Sequence, residues 1–291
     1  MRPIYVDHFL TGVIRRCYYS PIMTGQKPFP YDVFDIDHSN IQVSVDLLTK
    51  HGIIELYERT VPELFAGLLP AVQKAVPKGY FPFIRKTANG DVPSYDFILR
   101  LYMVQSANEQ FIFALGHLLR GHASEIAGHV RRATESAGIA YRSKSKPELG
   151  DIFMSGDEKR LRNATGAQTI LPPDDPLTAD LLKSMNFASS LTHNNFITFA
   201  SRAQNSFTIE NGQWTVTLGL DLYGSQSFGS FLSVSLWMLR VMERILRVLA
   251  ASFDLPASSE WWREVDQLEQ RLDRLYINLH HIVDLDDENQ A

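Results

Sequence analysis

The feature that most constrains this chain is a seam near its C-terminal end. Trp261, Val265, Leu268, Leu272, Leu275, Leu279 and Ile282 are spaced 4-3-4-3-4-3. That is an a/d pattern over three heptads, and it commits residues 259–282 to a helix with one apolar stripe to bury. Two partners can cover the stripe. One is the preceding helix of the same chain, expected over residues 228–253; the short connection through Pro256 favours this antiparallel packing. The other is a second copy, in which case the seam makes a homo-oligomer.

The same periodicity recurs upstream. Phe97, Leu101, Val104, Phe111, Ala114, Leu115 and Leu118 fall at helical intervals, so a long helix is expected from Ser94 to about Leu119, with another over 122–140 after Gly121. Ser39 reads as the N-cap of an earlier helix that stops at Gly52, and Thr60-Val61-Pro62-Glu63 reads as a capping box opening the next, with Pro70 expected to break or kink it. A first short helix is expected over 5–18. Residues 79–93 read as an aromatic loop. Residues 143–176 read as irregular with one short helix near 157–163, after which Thr178 caps a helix to about Leu191. One β-hairpin is expected at about 206–218, because Asn211-Gly212 between two β-prone runs suits a two-residue turn. The expected fold is therefore all-α, an up-and-down helical bundle with one inserted hairpin. Residues 1–93 form an N-terminal helical extension, 94–283 the core domain and 284–291 an acidic tail expected to fray.

Charge narrows the choice of partner. The net charge is −5 in 291 residues, so bulk charge does not favour polyanions. Residues 254–291 hold ten acidic and three basic side chains, a local −7. Residues 117–146 carry a local +4, with Arg131, Arg132, Arg142 and Lys144 as the side chains placed to meet phosphate. Any RNA binding through them is expected to be weak and salt-sensitive. No membrane span is expected. The most apolar stretch, 231–253, carries Arg240, Glu243, Arg244 and Arg247 on one helical face, each costing about 2.5–3.5 kcal/mol at a bilayer centre. The single cysteine, Cys17, cannot form an internal disulfide, and the first residues lack a signal-peptide core, so a cytoplasmic location is expected.

Candidate chemistry is sparse. There is no phosphate loop: in the glycine-spaced run Gly224–Ser230, serine stands where the lysine belongs. His122, Glu125 and His129 share a helical face that Arg132 extends, a polar stripe one ligand short of a tetrahedral metal site, so no metal and no cofactor are expected. His193 follows Ser189 and Ser190 at a helix end and precedes Asn194-Asn195. It is the candidate catalytic residue, a general acid/base near neutral pH, and it equally suits a C-terminal cap.

The order of these parts resembles uncharacterised bacterial helical domains related to the HEPN group. A long helix carries Arg131, Arg132 and Glu135, an irregular span follows, a helix ends in the Ser189…His193 pattern, and a long helix with a polar stripe closes the set. The resemblance covers roughly residues 94–253. It implies a helical fold and an RNA-directed activity centred on His193. HEPN ribonucleases place an arginine shortly before that histidine, and here Asn186, Phe187, Ala188 and Ser189 occupy those positions. The sequence therefore points first to a non-catalytic helical interaction or scaffold protein, and second to a HEPN-like RNA-binding protein or endoribonuclease.

Overall fold

The computed structural model describes residues 33–76, 83–87, 90–120, 123–192, 207–210, 213–216 and 228–288. The fold is all-α. In chain order the described helices are α1 (Val33–Lys50), α2 (Val61–Ala75), α3 (Tyr95–Leu119), α4 (Ala123–Ser145), α5 (Glu148–Met154), α6 (Glu158–Ala164), α7 (Ala167–Ile170), α8 (Pro176–Thr192), α9 (Phe228–Ser252) and α10 (Glu260–Glu288). Two antiparallel hairpins interrupt them, β1 (Ile84–Thr87) with β2 (Gly90–Pro93), and β3 (Phe207–Glu210) with β4 (Gln213–Val216).

Helix α4 lies at the centre. It packs against α3, α8 and α9, while α9 also carries α10, α2 and α3. One apolar cluster runs from Leu48 to Leu272 through all of these helices. Residues 48–72, read from sequence as part of an extension, contribute Leu48, Leu56, Tyr57, Leu64, Leu68 and Val72 to that same cluster. From Trp261 to Leu275 the seam on α10 packs within the chain. Trp261, Val265, Leu268 and Leu272 are buried against α9 and α2, Leu275 packs at the edge of the core, and the Trp261 indole N–H donates to the Leu64 carbonyl at 2.9 Å. The intrachain option accounts for these positions. The side chains of Leu279 and Ile282 lie outside the described residues.

Several local expectations need correction. Ser39 is no cap, since α1 already begins at Val33; its stop at Gly52 is as expected, with φ +66° and the Ile53 N–H donating to the Leu48 carbonyl. The capping box at Thr60 does not form. A π-helical turn over Leu56–Thr60 feeds straight into α2, so Thr60 is itself helical and its side chain caps nothing. The Val61 N–H donates to the Leu56 carbonyl, five residues back, the spacing of a π turn. Helix α2 runs on past Pro70. The stretch 143–176 holds three short helices rather than one, the second capped by Asp157, whose carboxylate accepts from the Arg160 N–H. Asp175, not Thr178, caps α8: its side chain accepts from the Leu177 N–H at 2.9 Å, and the Thr178 hydroxyl donates to the Pro172 carbonyl. At the acidic end α10 continues past 284 to Glu288.

The hairpin expected near 206–218 is present, with Glu210 paired to Gln213 across the turn. A second one stands in the stretch read as a loop, pairing Ile84 with Pro93 and Thr87 with Gly90. The helix expected over 5–18 falls outside the described residues. Among the described residues no helix is long and apolar enough to cross a membrane.

Candidate functional site

Helices α3 and α4 run antiparallel, with the Ser106 and Ser136 hydroxyls 3.0 Å apart between them. Phe111, Ala114 and Leu118 of α3 turn into the core. One residue out of phase, Gln110, Phe113 and His117 form a second stripe that the core does not take up. His129 of α4 meets all three. Its Nδ1 lies 2.8 Å from Gln110 Oε1, its ring stacks on His117 at 5.1 Å and 18°, and the Phe113 ring tilts against it at 5.5 Å and 36°. Phe113 remains 54% exposed. Eleven residues earlier on the same face of α3, about 16 Å along the axis, Tyr102 is 52% exposed and touches Phe153 of α5, beside the exposed Met154. A ridge of rings thus crosses the outside of two rigid helices.

Burial holds His129 below the ordinary imidazole value of 6.5, with further lowering from His117 and Arg132 and a smaller opposing pull from Glu125. The ring is therefore neutral at physiological pH. Over residues 105–136 of the two helices, Glu109, Glu125 and Glu135 equal Arg120, Arg131 and Arg132 in number. Arg131 is ion-paired with Glu135 at 3.0 Å, and Arg120 donates to the Gly116 carbonyl at 2.8 Å.

The sequence-derived candidates are only partly brought together. Glu125 and Arg132 are exposed on the flank of His129. His122 and His193 both lie outside the described residues. Arg142 and Lys144 sit at the far end of α4, where Arg142 reaches Ser145 Oγ at 3.5 Å and Lys144 is ion-paired with Asp254 at the end of α9. The four cations expected to meet phosphate are therefore spread along the helix, and Arg131 and Lys144 are each paired with a carboxylate. Among the described residues no group of three or more His, Cys, Asp or Glu side chains converges in a way that would hold a metal ion.

Sequence reasoning missed Gln110, Phe113 and His117. Their signal was present as the i, i+3, i+7 spacing of 110, 113 and 117 on a helix whose apolar stripe was already assigned elsewhere. It read Arg240, Glu243 and Arg247 only as charges that bar a membrane span, and they form a second polar centre. Glu243 of α9 is 1% exposed and lies between Arg240 and Arg247. Arg247 bridges to Asp266 at 2.9 Å and Glu269 at 2.8 Å on α10, while Arg240 pairs with Asp273 and lies over the Tyr276 ring. Burial raises the Glu243 carboxyl above 4.5, outweighing the lowering from Arg247 and Arg240. This network ties α10 to α9. An open cleft of about 460 Å³ lies elsewhere, between the end of α2 and the start of α10, lined by Gly67, Lys74, Ser259, Trp261 and Glu264 among others.

Comparison with family models, curated proteins and solved structures returns no match.

Proposed function

We propose that this chain is a non-catalytic helical interaction protein that docks a partner protein on the α3–α4 face. The observation that carries the reading is the ridge of Phe113, His129 and His117. The two imidazoles stack, Phe113 tilts against His129 and is itself half exposed, and all three rings are mounted on helices whose other faces are buried in the core. Large exposed rings on rigid elements serve as anchors in protein interfaces, where they bury much area at little cost in side-chain freedom. The balanced charge around the ridge favours a protein over a polyanion, since counterion release needs several uncompensated cations together. A HEPN-like nuclease would instead rest on His193 and on a basic α4.

Site-specific crosslinking tests this. Benzoylphenylalanine placed at Phe113 should capture a discrete protein on irradiation in cells. The same residue placed at Glu58, exposed on the π-helical turn, should not. Equal capture at both positions, or capture of RNA at Phe113, would contradict the reading.

A further inference from the structure

We propose that the stacked His117–His129 pair makes the α3–α4 face acid-sensitive, a largely apolar ridge while both rings are neutral and a cationic one once both are protonated. This deepens the docking reading and rests on it only for the consequence, which is that partner binding weakens in acid. The titration itself is a property of the chain alone.

The geometry sets up the coupling. The two ring centroids are 5.1 Å apart with planes 18° from parallel, one ring from each helix. Two imidazolium ions stacked face to face repel at that distance, and partial burial between helices weakens the screening that water would supply. The Gln110 carbonyl oxygen can only accept, so Nδ1 of His129 carries its proton and Nε2 is the nitrogen that titrates. Among the described residues the charged or titratable groups acting on His129 are His117 from α3, and Arg132 and Glu125 from α4. Helices α5, α7, α8 and α9 also pack on α4, and they contribute none of these groups. Two of the three groups oppose a positive charge on the ring, and so does burial.

The sign follows from linkage. A histidine held below 6.5 binds its proton less tightly in the folded chain than in the unfolded one. The stability carried by the neutral ring is complete above that value and is lost as pH falls through the folded one.

The test is a titration of the full chain by side-chain NMR between about pH 5 and pH 8, with His129→Gln used to assign the signals. In the wild type His129 should titrate below 6.5. His117→Phe keeps a ring in the stack and removes the charge, so the His129 midpoint should rise. The same variant should lose less stability to urea on acidification than the wild type does. His117→Gln, which needs no ring to fit, should raise the midpoint as well. A His129 midpoint that neither replacement moves, or that already stands at 6.5 in the wild type, would overturn the proposal. A midpoint that shifts as expected supports the coupling even if benzoylphenylalanine at Phe113 captures nothing, an outcome that counts against the docking reading alone.

Discussion

Replacing Arg247 by methionine should lower the unfolding free energy by about 3–5 kcal/mol near neutral pH, because it strands a buried carboxylate. Glu243 is 1% exposed, and Arg247 is its bonded partner; Arg240 approaches only to 3.9 Å. Glu243→Gln should behave differently and change stability by less than about 1 kcal/mol, since a neutral amide avoids the desolvation that burial imposes on the anion. Arg247 then keeps Asp266 and Glu269, and its guanidinium still lies over the Trp262 ring at 5.8 Å. The pH dependence separates the two variants. The Glu243 carboxyl is raised in the fold, so its favourable contribution is complete below its unfolded value and is lost as pH rises through the folded one. The deficit of Arg247→Met should therefore shrink in mild acid, as the stranded carboxyl takes up a proton. Urea unfolding of both variants near neutral pH and in mild acid measures this. A deficit that grows in acid would show that the buried charge is not its source.

Phe111→Ala should cost about 3–5 kcal/mol, the usual range for removing a fully buried aromatic ring. Phe111 is 1% exposed and stacks between Tyr57 and Phe65 at 6.1 and 6.2 Å. It joins the π-helical turn and α2 to α3. Tyr57 cannot move to fill the void without giving up the hydrogen bond from its hydroxyl to the Ser235 carbonyl, 2.6 Å long. Urea unfolding should show a lower midpoint with an unchanged slope. A loss below about 1 kcal/mol would mean that the ring is not part of the common core.

The long helices were legible because their periodicity is strict and uninterrupted. The stripe of α3, the start of α9 at Phe228 and the seam of α10 could all be read directly. What the sequence hid was set by context. Thr60 matches a capping box, but the chain arrives there already helical, and a cap needs a non-helical residue. The hairpin of β1 and β2 was missed because Ile84-Arg85-Lys86-Thr87 shows no apolar alternation; the turn signal Asn89-Gly90 was there, and Gly90 has φ +113°. The helix at Glu148–Met154 was hidden by a polar surrounding. Its position depends on Gly150, where a Cβ would stand 2.3 Å from the Asp96 nitrogen, so α5 can lie against the start of α3 only with glycine there. The site was half legible for a related reason. Glu125, His129 and Arg132 lie on one helix, and their spacing can be read in one dimension. The partners Gln110, Phe113 and His117 come from another helix, and only the α3–α4 pairing brings them to His129.

The most direct test of the docking claim is the mass at which the chain travels in a gentle cell lysate. On size-exclusion chromatography the wild type should run well above its own 33.0 kDa, while the purified chain alone should run at that mass. Phe113→Ser, at an exposed position, should keep the helical circular dichroism and the melting temperature close to those of the wild type, and yet shift in the lysate to the position of the lone chain. A wild type that already runs at 33.0 kDa in the lysate, or a Phe113→Ser variant that stays in the large complex, would contradict the account.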